Sequence, residues 1–380
     1  MITVTNVQII LTDSIIFDGT LLIRNGKIAD FGRMDSVAIP TDSEVFDGKG
    51  AYLAPGLVDI HTHAGGANWF YDQPEKAAEV HLAHGTTSIF PALYFNLTKE
   101  EYISSIQLIK AVSAFGAGRI IRGIYLEGPY LNPKYGADAE NNRWAHSISK
   151  EEYLPVLEEA AGFTNVVCVA PEREGISDFV DDVKRLMPEA RFAVAHSEAS
   201  PQEIEALIPK GLCIATHHTN ATGDRPKYPE CRGVCVDEAV NLNYEIYAEL
   251  ICDEHGIHVD PYMLRLIRKI KGDDRLILIS DAAVFDGPVP EGYNGVTDIN
   301  FDFSEQIAGS KLTLDRACQN MMRHTGAGLC DVFKFAATNP AKAVGLKQRG
   351  EICIGAVADL IMVDDRMNIS KVFLDGAPVS

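Results

Sequence analysis

The stretch LVDIHTHAGG, residues 57–66, is a short apolar run that ends in two histidines. A continuous apolar run of this length is typical of a β-strand that is buried on both faces. His61 and His63 lie two residues apart, and side chains two apart on a strand point to the same side. Neutral imidazoles are common metal ligands. The stretch therefore predicts a buried strand that presents a pair of metal ligands at its C-terminal end.

Seven similar runs follow at intervals long enough for a helix. The eight runs are LVDIHTH (57–63), TSIFPAL (87–93), RGIYLEG (122–128), VVCVAPE (166–172), FAVAHSE (192–198), CIATHHT (213–219), YAELICD (247–253) and LILISDA (276–282). Intervening segments such as 99–115 and 260–272 carry apolar residues at spacings of three and four, which is typical of amphipathic helices. The pattern predicts an α/β fold with a parallel (β/α)8 TIM barrel. A doubly wound sheet is the structural alternative.

The two ends of the chain have a sequence pattern that differs from that of the eight runs. Residues 1–50 are rich in β-forming residues and contain Asp-Gly and Asn-Gly dipeptides, which favour tight hairpin turns. The last 26 residues, from GAVADLIMVD onward, contain another Asp-Gly pair. We therefore expect residues 1–52 and 346–380 to share a small β-sandwich domain, with the barrel at 53–345.

Composition excludes several classes of partner. The formal net charge is -19, which argues against nucleic acid because phosphate contacts need clustered Lys and Arg. No run approaches the roughly 18 apolar residues that a membrane-spanning helix needs, and the N-terminus lacks the features of a signal peptide. The eight cysteines are scattered, without a CxxC pair, so a zinc ribbon or a disulfide framework is not expected. We expect a cytoplasmic protein with no membrane partner.

Six polar residues stand at the ends of the apolar runs. They are His61 and His63 after the first run, Glu127 after the third, His196 after the fifth, His217 after the sixth and Asp281 after the eighth. A single histidine in an apolar run is usually a hydrogen-bonded core residue. Six such groups at the catalytic face of one barrel are costly to bury without a metal or partners. The set therefore predicts a divalent-cation site.

These motifs resemble the amidohydrolase superfamily. The framing segments LAPGLVDIHTH and GAVADLIMVD and the order of the strand-end ligands carry this resemblance. Within the superfamily, the chain resembles the N-acetylglucosamine-6-phosphate deacetylase family over nearly its whole length. The motifs that carry the closer resemblance are YLEGPYLN, AHSEAS, ATHHTNA, GIHVDP, ISDAA, AGSKLTL and AATNPAKAVGL.

The resemblance implies roles for the metal ligands. Glu127, His196 and His217 would hold the main metal, and His61 and His63 would help to hold a second one. Zinc is the expected metal because imidazole and carboxylate ligands suit it, with Mn²⁺, Fe²⁺ or Co²⁺ as alternatives. One or two ions per chain are both compatible with the sequence.

The resemblance also implies roles in catalysis and substrate binding. Asp281 would act as general base toward water and then as general acid toward the leaving amine; a plain metal ligand is the alternative. His258 would contact the sugar. Asn220 and Ala221 would bind phosphate through backbone amides, although Asn220 also suits a simple turn.

In that family, an arginine from a neighbouring subunit completes the phosphate site, so a homodimer is expected. Here TGDRPKYPECRG offers three candidates, Arg225, Lys227 and Arg232.

The chain departs from the family pattern in the segment NPKYGADAENNRWAHS (132–147). The family has a histidine there that polarises the acetyl carbonyl, and this chain has Asp138 near that position. An ionised aspartate cannot donate the hydrogen bond. His146 or Arg143 would then supply the donor from a different loop geometry.

The sequence therefore predicts a metal-dependent deacetylase that acts on an N-acetylated amino sugar phosphate and releases acetate. The alternatives are an amidohydrolase with a different amide or N-acetylated sugar substrate, and a non-catalytic scaffold of the same fold.

Overall fold

The computed structural model describes residues 1–223 and 227–379. Two sheets of eight strands each dominate this part of the chain, and two short hairpins accompany them. The strands are β1 (Ile2–Ile10), β2 (Ile15–Arg24), β3 (Lys27–Arg33), β4 (Glu44–Asp47), β5 (Tyr52–Pro55), β6 (Leu57–Thr62), β7 (Ala64–Gly65), β8 (Asn68–Trp69), β9 (Thr86–Tyr94), β10 (Ile124–Glu127), β11 (Thr164–Val169), β12 (Arg191–Val194), β13 (Leu212–Ala215), β14 (Tyr247–Ile251), β15 (Leu276–Ile279), β16 (Ile299–Phe301), β17 (Ile307–Ser310), β18 (Leu360–Val363), β19 (Ile369–Leu374) and β20 (Ala377–Pro378).

Helices connect the strands of the second sheet. The α-helices are α1 (Pro74–Ala83), α2 (Lys99–Val112), α3 (Lys150–Ala160), α4 (Ile176–Leu186), α5 (Pro201–Leu207), α6 (Val236–Leu242), α7 (Pro261–Lys271), α8 (Leu314–Thr325), α9 (Leu329–Phe333) and α10 (Asn339–Ala343). A capping box at Thr98 and Glu101 begins α2, whose residues Tyr102, Ile106 and Ile109 are buried. No helix within residues 1–223 and 227–379 is both long and apolar enough to cross a bilayer.

The second sheet is a parallel barrel. Its strands follow the order β6, β9, β10, β11, β12, β13, β14, β15, and every neighbouring pair is parallel. The first and last strands meet at their C-terminal ends, where the Asp281 amide donates to the His61 carbonyl (3.0 Å) and the His63 amide to the Ala282 carbonyl (2.9 Å). The expected (β/α)8 barrel is confirmed, because buried apolar strands alternate with amphipathic helices.

Both termini contribute to the first sheet, in which β1 is central. The first half of β1 pairs with β4 and its second half with β5, while β2 covers its other edge. Phe46 on β4 lies edge-to-face on Phe373 of β19, with ring centres 5.7 Å apart, although these strands are not neighbours in the sheet. The sheet therefore folds over itself as a β-sandwich around a separate apolar core. That core includes Val4, Val7, Ile9, Leu21, Ile23, Leu53, Leu360 and Phe373.

The sandwich and the barrel are joined closely. Strand β5 (Tyr52–Pro55) pairs with β1 and β18, so the sheet of the termini extends to Pro55, and the first barrel strand begins at Leu57. The Gly56 amide between them donates to the Asp359 carbonyl at 2.9 Å. The division into domains at 52–53 and 345–346 stays a prediction.

Candidate metal centre and substrate cavity

The six polar residues singled out in the sequence converge at the C-terminal ends of the barrel strands. His61 lies on β6 and Glu127 ends β10, whereas the others lie in the turns that follow strands: His63 after β6, His196 after β12, His217 after β13 and Asp281 after β15. All six are at least 92% buried. The structure thus brings the predicted metal site together.

Three of these residues adopt a left-handed backbone conformation. The φ angles are 42° at His196, 33° at His217 and 46° at Asp281, each two residues beyond the end of its strand. Non-glycine residues rarely adopt positive φ, and such strain is typical of functional sites. All three side chains line the same cavity.

Glu127 is the shared carboxylate of the site. Its Oε1 lies 2.9 Å from His196 Nε2 and 3.2 Å from His217 Nε2. Its Oε2 lies 3.2 Å from His63 Nε2 and 3.7 Å from His61 Nε2. Two groups of possible ligands therefore meet at one side chain, one with His61 and His63 and the other with His196 and His217.

The donor set fits a divalent cation. Nε2 of His196 and Nε2 of His217 face each other at 3.1 Å, which brings together two nitrogens that act as ligands in their neutral form. Nε2 of His61 is buried without a hydrogen-bond partner among the described residues. Imidazole nitrogens with a carboxylate oxygen are ligands that zinc and neighbouring transition metals accept.

Burial and pairing set the charges of the cluster. Burial raises the pKa of Glu127, but hydrogen bonds from His196 and His217 and the electrostatic effect of the nearby His61 outweigh it and hold the pKa well below its usual value. Burial likewise opposes ionisation of Asp281, yet the hydrogen bond from His63 lowers its pKa. Burial lowers the pKa of His63, whereas Asp281 and Glu127 raise it to about 9. The two carboxylates are therefore negative, as cation ligands must be.

Sequence reasoning missed Glu249 on β14. This carboxylate is fully buried, and its Oε2 accepts from His61 Nδ1 at 3.2 Å and from the His217 amide at 3.3 Å. A carboxylate on the second nitrogen of a ligating imidazole fixes the tautomer and the orientation of the ring. The signal was present as a single charged residue in the apolar run YAELICD.

Asp59 is a second buried carboxylate that supports the first strand. It accepts from the Ser280 hydroxyl at 2.6 Å and from the His61 amide at 3.2 Å, so it ties β6 to the end of β15. Burial raises its pKa to about 7. Tyr125 stacks on the His61 ring with centres 4.5 Å apart. The position of His61 is therefore fixed from several sides.

The cluster opens into a cavity of about 450 Å³. One wall is aromatic, with Trp69, Tyr94, Phe95 and Phe285, and the opposite wall contains Asn220, Ala221 and His258. No Lys or Arg side chain among the described residues lines it. The cavity suits a small, mostly apolar or hydroxylated ligand.

His258 lines this cavity, and its role as a substrate contact stays a prediction. Its Nδ1 is 3.3 Å from Asp253 Oδ2, and its Nε2 is buried without a partner in the described part of the chain. Burial opposes ionisation of Asp253, but hydrogen bonds from the His258 side chain and from the Ile257 and His258 amides lower its pKa to about 2. His255 does not line the cavity.

Asn220 and Ala221 also line the cavity. The His217 Nδ1 faces the Asn220 carbonyl at 3.2 Å, and the Asn220 side-chain amide donates to the His258 carbonyl at 2.8 Å. Ala221 has a φ of 52°. The predicted anion-binding turn is thus linked both to His217 and to His258.

The basic candidates for the phosphate site lie elsewhere. The Arg232 side chain is 81% exposed and pairs with Glu238 at 2.8 Å. Lys227 is exposed, and neither residue lines the cavity. Arg225 lies outside the described residues.

The structure does not bring His146 to the metal site. Its Nδ1 faces the Ser147 carbonyl at 2.9 Å, and with Arg143 it lines a separate surface groove. Asp138 is turned away as well, since its Oδ1 accepts from the side-chain Nδ2 of Asn141 at 2.5 Å. None of these three side chains lines the central cavity.

Comparison with known proteins gives the family. The family described as "Amidohydrolase family" matches residues 52–379. N-acetylglucosamine-6-phosphate deacetylase of Bacillus subtilis (strain 168) is 27% identical over 379 residues, covering 95% of this chain and 92% of that protein. N-acetylgalactosamine-6-phosphate deacetylase of Escherichia coli O157:H7 is 25% identical over 382 residues, covering 94% of each chain.

A solved structure supports the same relationship. A variant of N-acetyl-D-glucosamine-6-phosphate deacetylase from Mycobacterium smegmatis, in complex with N-acetyl-D-glucosamine-6-phosphate, superposes with a TM-score of 0.82 at 25% identity. The match covers 99% of this chain and 98% of that chain. Because the family match spans most of the chain, this protein belongs to the amidohydrolase family.

Proposed function

We propose that the protein hydrolyses the N-acetyl group of an amino sugar phosphate and releases acetate and the free amino sugar phosphate. The observation that carries the proposal is the convergence of His196, His217 and Asp281 on one cavity, with Glu127 shared between two ligand groups. The similar proteins named above, which act on N-acetylglucosamine or N-acetylgalactosamine 6-phosphate, support the substrate class.

The metal would be held by Glu127, His196 and His217, with His61 and His63 available for a second ion. A bound divalent cation, for which we propose zinc, polarises an amide carbonyl and acidifies water. Glu249 orients the His61 ring by accepting a hydrogen bond from its Nδ1.

Asp281 is the proposed proton carrier. Its carboxylate lines the cavity, and its Oδ1 lies 3.3 Å from His63 Nε2. Its lowered pKa keeps it ionised and ready to accept the proton of the attacking water. The proton then passes to the departing amine, since an amide nitrogen must be protonated to leave.

The opposite wall is the proposed sugar and phosphate side. The unpartnered Nε2 of His258 is suited to a sugar hydroxyl, and the backbone amides near Asn220 and Ala221 to phosphate oxygens. No described Lys or Arg lines the cavity, and the positive charge for a phosphate would be supplied by Arg225, Lys227 or Arg232, of this subunit or of a second one. This need supports the proposed homodimer. The cytoplasmic location stays a prediction.

The decisive experiment is acetate release by zinc- or manganese-loaded protein. N-acetylglucosamine 6-phosphate, its galactosamine isomer and both unphosphorylated sugars are compared. We expect fast turnover of at least one phosphorylated sugar, and metal analysis of the same sample gives the ion and its number per chain. Metal-loaded protein that turns over none of the four sugars would refute the proposal.

One observation favours a second candidate. The absence of Lys and Arg from the described cavity lining suits an uncharged N-acetylated sugar or another neutral amide. Turnover of the unphosphorylated sugars at equal or higher kcat/KM would favour this reading.

A further inference from the structure

Tyr94 occupies a distinctive place beside the metal cluster. It is the last residue of β9, and its Cα is the register partner of Glu127 on β10. Paired residues on neighbouring strands point to the same side of a sheet, so the two side chains lie next to each other. The Tyr94 ring is 5.0 Å from the His63 ring, centre to centre, and it lines the cavity.

The hydroxyl of Tyr94 differs from those of the other buried tyrosines. Tyr102, Tyr125, Tyr130 and Tyr153 each direct the hydroxyl to a protein acceptor, such as Thr216 Oγ1 at 2.7 Å or Asp182 Oδ2 at 2.8 Å. Tyr94 is 8% exposed, and its hydroxyl has no hydrogen-bond partner in the part of the chain that the structure describes. A buried phenol normally finds a partner. Because Tyr94 lines the cavity, a ligand that enters the cavity can supply this partner.

Amide hydrolysis in this cavity would gain from a hydrogen-bond donor that acts on the carbonyl oxygen together with the cation. As water adds to the carbonyl carbon, the π pair moves to the carbonyl oxygen, and preorganised donors stabilise the charge that develops there. Asp138 cannot serve, because its side chain is turned to Asn141. A phenol, whose ordinary pKa is about 10, keeps its proton at neutral pH and can donate.

We propose that the Tyr94 hydroxyl donates a hydrogen bond to the carbonyl oxygen of the scissile amide and strengthens it as that oxygen becomes negative. No covalent bond forms or breaks at Tyr94, and the proton stays on the phenol oxygen. The inference rests on the proposed amide hydrolysis but goes beyond it, since it assigns the electrophilic donor to the second barrel strand.

The test compares Tyr94→Phe with wild-type protein, both loaded with the same metal. Loss of one oxyanion donor lowers kcat by about 10²-fold or more. We expect a drop of this size, little change in KM, and unchanged metal content and melting temperature. Tyr71→Phe is the matched control, because Tyr71 stacks on Trp69 nearby but does not line the cavity.

A second measurement separates a donor from a packing role. An N-trifluoroacetyl substrate has a more electrophilic carbonyl and depends less on a donor, so the loss in Tyr94→Phe should shrink several-fold with it. An equal loss with both acyl groups overturns the inference. A normal kcat in Tyr94→Phe together with a large loss in Trp69→Phe also overturns it, since the indole N–H would then be the donor.

Different measurements test the proposed function and the role of Tyr94, so either one can be refuted without the other. Wild-type turnover of amino sugar phosphates decides the proposed function. The ratio of wild-type to Tyr94→Phe kcat decides the inference, measured on p-nitroacetanilide if no amino sugar is cleaved. A ratio within twofold on a cleaved amide refutes the role of Tyr94.

Discussion

The two walls of the cavity are built differently. The metal wall draws Glu127, His196, His217 and Asp281 from four different strand ends, each held by the barrel hydrogen bonds. The opposite wall, here called the anion wall, contains Asn220 and Ala221 from the connection after β13 and His258 from the connection after β14. The basic candidates Lys227 and Arg232 are exposed and lie outside the cavity lining.

Residues at strand ends and residues of a connecting segment are held in place in different ways. A strand end can move only if the barrel moves, so the proposed metal ligands are preorganised before any ligand binds. A connecting segment is fixed by local turns and by whatever it contacts, as loops commonly are. Substitutions on the metal wall should therefore act mainly on kcat, and those on the anion wall mainly on KM.

Of the substitutions that test this difference, Asp281→Asn should have the largest effect on activity. Asparagine keeps the shape of the side chain but cannot accept and return a proton, so kcat should fall by about 10²–10⁴-fold. Metal content, measured by elemental analysis, should stay normal because Glu127, His196 and His217 remain. A kcat within tenfold of wild type would remove Asp281 from the proton-transfer role.

Glu249→Gln tests the support behind the metal wall. Loss of a carboxylate partner of a ligating histidine typically costs 10–100-fold in metal affinity or activity. We expect a loss in this range, measured by metal titration and by kcat. Glu245→Gln, an exposed change just before the same strand, is the control. Equal metal affinity in all three proteins would show that Glu249 only fills space.

Asn220→Ala tests the anion wall. The substitution removes the hydrogen bond to the His258 carbonyl, worth about 1 kcal/mol, so KM for the phosphorylated sugar should rise about fivefold. The kcat should change by less than twofold. A fall in kcat without a change in KM would mean that the two walls are not separable.

Lys271→Met tests a buried lysine that holds the end of α6, the helix that follows the connection containing Asn220. The quantity compared is the pH dependence of the free energy of unfolding. Lys271 is 1% exposed and donates to the Val240 and Asn243 carbonyls at the end of α6, and burial lowers its pKa to about 8. Between about pH 8 and pH 10.5 the unfolded chain binds more protons than the folded one at this site, so stability rises with pH.

The difference in the free energy of unfolding between wild type and Lys271→Met should change across this range by on the order of 1 kcal/mol. Chemical denaturation at pH 8 and pH 10 measures it, with exposed Lys269→Met as the control. Parallel pH profiles for wild type and Lys271→Met would contradict the expectation.

The sequence was sufficient for the barrel and for the cluster of polar residues at its strand ends, because both depend on short-range patterns. Buried strands show as continuous apolar runs, and a histidine such as His61 stands out in them. Glu249 was missed because its role depends on contact with a residue 188 positions away. His146 was offered as a carbonyl donor from its place in the chain, and the loop instead turns it to a separate groove. Loop geometry depends on packing that no local pattern records.

The positive φ angles at His196, His217 and Asp281 have a consequence for protein design. A left-handed residue with a Cβ costs about 1–2 kcal/mol, and alanine bears this cost as histidine does, whereas glycine does not. Grafting the same side chains onto the straight strand ends of another barrel would therefore place them along the rim instead of over the axis. The strand and its turn together position these side chains. A design that copies only the side chains, without the left-handed turns, would not reproduce the site.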